Sequence, residues 1–154
     1  MSDASDSPEC VVVGFDGSEA SREAVGFAAR SAGPGGSIVA VYAFGPPPDW
    51  LGHPGYQRVL DDHRLRGQEV LDGLAADAGD LLKGLKVEYE LVAGRPAHVL
   101  TDVANARDAD MIAVGSRGLG RVRGALGSVS QELLHLADRP VVIIPERGLR
   151  GERA

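Results

Sequence analysis

The chain has 154 residues, 44% of them hydrophobic and 25% charged, which suits one globular domain large enough to bury a core. A formal net charge of −6 sets its own field against nonspecific binding to nucleic acid or to an anionic membrane surface. No apolar run approaches the roughly 20 residues that span a bilayer. The polar, acidic start lacks the basic-then-apolar order of a signal peptide, so a cytoplasmic location is expected.

Residues 1–9 show no apolar periodicity and read as a disordered lead-in; the domain is expected over 10–147, with a flexible polar tail at 148–154. Cys10 is the single cysteine, so no internal disulfide is available, and it opens the run CVVVG, a β-branched strand of the kind covered on both faces. That strand ends in Phe15-Asp16-Gly17-Ser18. A helix is predicted over 19–32, capped by Ser18 or Ser21 and stopped by Gly33-Pro34-Gly35-Gly36.

A second buried strand is predicted over 38–44 and is cut off by Gly45 and three prolines. Residues 49–55 read as a loop, with Trp50 and Tyr56 expected to pack over a helix. A long helix follows over 57–82, weakened by Gly67, Gly73 and Gly79, with a bend expected near Gly67. Residues 85–92, LKVEYELV, alternate apolar and polar and so predict a strand with one wet face at a sheet edge. The turn Gly94-Arg95-Pro96 leads into a helix over 96–107, with proline suited to its first turn.

The last third of the chain reads as a buried strand over 111–114, a glycine- and arginine-rich loop over 115–127, a helix opening at Ser128 and a final strand over 141–144. Strands alternating with helices predict an α/β domain with an open, five-stranded parallel sheet, right-handed crossovers and helices on both faces. Ligands of such sheets bind at the carboxyl ends of the strands where the winding reverses. That rule selects the ends of the first and fourth strands: Asp16, just past Gly14, and the loop that opens at Gly115.

The loop after the fourth strand has the composition of a phosphate site. Glycine lets main-chain N–H groups approach an anion closely, and the first turn of a helix adds unsatisfied donors and a partial positive charge. Neither named phosphate motif is present. GxxxxGK followed by Ser or Thr needs a lysine that the loop lacks, and Gly118, Gly120 and Gly124 exceed the spacing of GxGxxG by one residue. His53, His63, His98 and His135 are dispersed, with no partner at metal-ligand spacing. No Ser-His-Asp set, Cys-His set or GxSxG is discernible, and no residue is assigned to catalysis.

The strand ending in Asp16-Gly17-Ser18, the Gly94-Arg95-Pro96 turn, Val114-Gly115-Ser116-Arg117-Gly118, Gly127-Ser128-Val129 and the RPVVIIP ending together resemble the universal stress protein family over nearly the whole chain. Its ATP-binding branch carries Gly, two residues, Gly, nine residues, then Gly-Ser or Gly-Thr. Here eight residues separate Gly118 from Gly127. The resemblance implies the adenine nucleotide alpha hydrolase-like strand order 3-2-1-4-5, and ATP, with Mg as a possible companion, as ligand.

The resemblance also distributes roles. Asp16 would meet the ribose or a metal-bound water, although a carboxylate there also suits the cap of the following helix, and the two roles are compatible. Tyr42 and Ala43 would border the adenine through their backbone, or simply pack in the core. Gly115, Gly118 and Gly127 would donate main-chain N–H groups to phosphate, Ser128 its hydroxyl, and Arg117 its charge, with Val114 and Val129 as apolar neighbours. Ser128 with Gln131 also fits a capping box, a purely structural role.

The family pairs through its last strand, so a homodimer through Val141, Val142, Ile143 and Ile144 is expected. The expected function is nucleotide-dependent stress regulation with weak or no hydrolysis. A nucleotide-free dimeric scaffold and an enzyme acting on adenylated or phosphorylated substrates are the alternatives.

Overall fold

Three consecutive valines, Val11, Val12 and Val13, are fully buried in the strand Cys10–Gly14 (β1). Only a strand covered on both faces accommodates such a run. The computed structural model describes residues 8–46, 48–116 and 126–145. Helix α1 (Glu19–Ser31), strand β2 (Ser37–Phe44), helix α2 (Tyr56–Asp77), strand β3 (Lys86–Ala93) and helix α3 (Pro96–Arg107) follow in order. Strand β4 (Met111–Gly115), helix α4 (Ser128–Leu136) and strand β5 (Val141–Ile144) complete the described chain.

The five strands form one parallel sheet in the order β3-β2-β1-β4-β5, as the sequence led us to expect. Val12 stands in register with Val39 on one side and Ile112 on the other. Alternation of side chains then sorts the core into two layers. Val11, Val13, Ile38 and Ala40 face Val25 and Ala28 of α1 and Leu71 and Leu74 of α2. Val12, Val39, Val41, Ile112 and Val114 face Leu100 and Val103 of α3 and Leu133 of α4. Each fully buried Val or Ile stabilises the fold by about 1.5–3 kcal/mol relative to exposure.

β3 is an edge strand, as its alternating pattern predicts. On its wet side Glu88 and Glu90 form ion pairs with Arg107 at the end of α3. The other edge is β5, half-buried along its whole length.

Two expectations about α2 need correction. The helix closes with the Ala78 N–H bonded to the Leu74 carbonyl and does not continue to residue 82. Ala78 and Leu82 remain buried and prolong the apolar periodicity into what is a turn. Nor does Gly67 break the helix. A Cβ there would stand 2.5 Å from Tyr42 Cδ1 and 2.6 Å from Leu91 Cδ1, so this glycine lets α2 lie directly on the sheet. Trp50 meets His53 at a tilted angle, with ring centroids 4.6 Å apart.

Among the described residues, no helix is long and apolar enough to cross a membrane.

Candidate functional site

Right-handed crossovers place every strand-to-helix junction on the same edge of a parallel sheet. A cavity of about 320 Å³ opens there, at the carboxyl ends of β1, β2 and β4. Gly14, Asp16, Tyr42, Ala43, Val114, Gly115, Gly127, Ser128 and Val129 all line it. These are candidate residues drawn from four separate parts of the sequence. Arg117 and Gly118, the remaining candidates, lie outside the described residues.

The apolar wall comes from Val41, Leu100, Val114 and Val129, with Pro96 at the start of α3. Gly14 is closely held in that wall, since a Cβ on it would lie 3.0 Å from Leu100 Cδ1 and 3.1 Å from Val114 Cγ1. Tyr42 presents its ring to the opposite side of the sheet, against Gly67, so its side chain belongs to the layer under α2. Burial raises the pKa of its phenol; nearby Arg66 lowers it and Asp16 raises it.

Asp16 is committed locally. Its Oδ1 accepts from the Ser18 N–H at 2.9 Å. The Ser18 hydroxyl in turn accepts from the Ser21 N–H at 3.2 Å and caps α1. The helix-cap reading of Asp16 therefore holds in the indirect sense that it fixes the cap residue. Its carboxylate stays solvent-exposed at the cavity. Ser21, offered by the sequence only as a cap of α1, and Ser130 also line the cavity with satisfied hydroxyls. They donate to the carbonyls of Ser18 at 2.9 Å and Gly115 at 3.0 Å.

The capping box does not form at α4. Gly127 is the N-cap, with no side-chain bond to the helix end, and Ser128 is the first helical residue. Gln131 reaches the Leu126 carbonyl at 3.1 Å. The Gly127 N–H donates to the Ser116 carbonyl at 2.7 Å and so closes the base of the loop. The first bond of the helix ladder runs from the Gln131 N–H to the Gly127 carbonyl at 3.1 Å. The amides of Ser128, Val129 and Ser130 precede that ladder.

Three helix N-termini border the cavity, and they differ in electrostatics. α1 is capped by Ser18 and carries Glu19 in its first turn. Neither α3 nor α4 has a side-chain cap or an acidic residue in its first turn. No first-turn carboxylate of their own offsets their partial positive charges beside the cavity. Asp16 is the only acidic residue among the described lining residues, and no group of three or more His, Cys, Asp or Glu among the described residues could hold a metal ion.

Phe15, Ser18, Ser21, Val41, Pro96, Leu100 and Ser130 were missed as lining residues. For Ser18 and Pro96 the alternation of strands and helices did contain the signal, because it sends the start of α3 to this edge along with that of α1.

The family model described as Universal stress protein family matches residues 9–145. A universal stress protein of Thermus aquaticus, encoded in the QAH/OAS sulfhydrylase 3′ region, is 32% identical over 136 residues, covering 87% of this chain and 96% of that protein. A universal stress protein of Mycolicibacterium smegmatis is 32% identical over 140 residues; this chain covers 47% of its length, about half of the longer relative. Among solved structures, a universal stress protein from Archaeoglobus fulgidus in complex with dAMP shares the fold with a TM-score of 0.62 at 24% identity, covering 90% of this chain and 97% of that one. A family protein from Arabidopsis thaliana with AMP bound gives a TM-score of 0.61 at 18% identity, covering 93% and 95%.

Proposed function

The chain belongs to the universal stress protein family, and on that premise we propose that it binds an adenine nucleotide, ATP by preference, in the cavity at the carboxyl edge of the sheet and acts as a nucleotide-dependent stress regulator. One observation carries this reading: an apolar slot opens beside two helix N-termini that have neither caps nor acidic first turns. An aromatic base suits the slot, and a phosphate tail suits the helix ends. The cavity lies at the small end of the range for ligand pockets, roughly 300–1,000 Å³, which fits one nucleoside with its phosphates extending toward the loop. Solved relatives holding dAMP and AMP support the same ligand class.

In this reading the backbone of Tyr42 and Ala43 borders the base, Asp16 faces the sugar, and the amides of Ser128 and Val129 meet phosphate. Arg117 and Gly118 complete the phosphate contacts from the loop. A Mg ion would arrive on phosphate oxygens, with Asp16 as the carboxylate available to its water shell. Slow or absent hydrolysis is part of this reading.

Calorimetry with ATP, ADP, AMP and cAMP tests the proposal. Binding at micromolar concentration or tighter is expected for at least one of them, and absence of heat with all four, on folded protein, overturns it. One observation favours a nucleotide-free scaffold: the Gly127 N–H is already used by Ser116. That reading wins if the protein also purifies without adenine-absorbing material.

We further propose a homodimer through β5. The carbonyls of Pro140 and Ile144 accept from Ile112 and Ser116. Strand alternation therefore turns the N–H and C=O of Val141 and Ile143 toward the open edge. Ile143→Pro, which removes one outward donor without touching the β4 ladder, is expected to convert a micromolar dimer into a folded monomer by sedimentation. A wild-type monomer at that concentration refutes the pairing.

A further inference from the structure

Arg95 occupies the N-cap of α3, a position that favours Ser, Thr, Asp or Asn. It makes no capping bond there, and a cation is disfavoured at that end of a helix dipole. Local rules of this kind are broken most often at functional sites.

The guanidinium reaches across to α4, where Nη2 donates to Glu132 Oε1 at 2.8 Å. Glu132 lies one helical turn beyond Ser128, which places the charge within about 6 Å of the helix end along the axis. Pro96, the next residue in the chain, lines the cavity. The same carboxylate oxygen has a second partner, His98 Nε2 at 3.1 Å. If Arg95 leaves, Glu132 therefore still has His98 Nε2 beside the same oxygen. The Arg95 side chain is 63% exposed, so the pair is screened by solvent and weak.

We propose that Arg95 is a phosphate-binding residue held in reserve: Glu132 neutralises it in the empty cavity, and a nucleotide with more than one phosphate draws it away. This rests on the nucleotide reading above and deepens it, because it makes the length of the phosphate tail the property that the site discriminates. A monophosphate is satisfied by the amides of Ser128 and Val129. A longer tail adds negative charge near the end of α4 that competes with Glu132 for the arginine, and the arginine changes partner.

Calorimetry on the full chain with adenosine, AMP and ATP, for wild type, Arg95→Gln, Glu132→Gln and the double variant, tests the proposal. Arg95→Gln is expected to weaken ATP about tenfold, the scale of one charge-assisted hydrogen bond, with adenosine unchanged and AMP nearly so. Glu132→Gln is expected to tighten ATP several-fold, and the gain is expected to disappear in the double variant. Equal shifts for all three ligands would mean that the pair only ties α3 to α4, and the proposal fails. A gain that persists undiminished in the double variant, or ATP affinity that ignores Arg95→Gln, also overturns it. These failures leave nucleotide binding standing. Only a wild-type protein that binds none of the ligands removes both readings together.

Discussion

Gly115→Val is expected to destabilise the folded chain by about 3 kcal/mol and to abolish ligand binding with it. A Cβ at this position would lie 2.5 Å from Ala20 Cβ, 2.7 Å from the Ala20 carbonyl carbon and 3.0 Å from the Ser21 N. Two of these neighbours are backbone atoms of the first turn of α1, and Ala20 and Ser21 are buried. No rotamer relieves the clash, so α1 must move off β4 and carry Ser18 and Ser21 out of the cavity wall. Urea unfolding monitored by circular dichroism measures the loss. Gly73, on α2 with nothing within 4 Å, serves as the control, since Gly73→Ala there is expected to be neutral or mildly stabilising. If Gly115→Val retains wild-type stability, the close approach of α1 to β4 is wrong.

This result bears on how glycine-rich loops are read. The sequence marks Gly115 as a phosphate donor because it opens a glycine-rich stretch, yet its fixed structural duty is to admit α1. Gly67 is a parallel case: its low helix propensity suggests a bend, whereas the space it leaves is filled by Tyr42 and Leu91. Both duties depend on a neighbour distant in sequence, and local propensity carries no information about it.

Features set by local pattern were legible. The valine run of β1, the alternation of β3, Pro96 at the start of α3 and the apolar brevity of β5 each state their place, whereas the full sheet order was implied by the family resemblance. The cavity was legible to the same extent. Asp16, Val114 and Ser128 sit at strand-to-helix junctions, and topology brings such junctions together. Leu100 and Ser130 lie further along their helices and enter the cavity wall through tertiary packing, which no spacing rule announces. The end of α2 was misplaced for a related reason: Leu82 is buried from a turn, and burial imitates helical periodicity.

Arg139→Ala is expected to cost about 2–3 kcal/mol, the range for charge-assisted hydrogen bonds lost from a largely buried site. The side chain is only 16% exposed and its fork joins two layers of the fold. Nη1 donates to the carbonyls of Ala104, at 3.0 Å, and Ala109, while Nη2 donates to Asn105 Oδ1 at 2.8 Å. These acceptors lie at the carboxyl end of α3 and in the turn into β4, where Asp108 adopts a left-handed conformation with φ 49°. A cation there is favoured by the helix dipole as well as by the bonds. Arg139 immediately precedes Pro140, whose carbonyl accepts from Ile112 at 3.0 Å at the start of the β4–β5 pairing. Losing the arginine therefore loosens the α3–β4 turn and the entry into the edge strand together. Arg139→Lys is expected to recover only part of the loss, because an ammonium cannot span acceptors arranged for a planar fork. Urea midpoints of the three proteins decide the matter: equal stability of Arg139→Ala and wild type would show that the turn and the edge strand hold without it. If Arg139→Lys instead matches wild type, charge at the helix end suffices and the fork geometry is incidental.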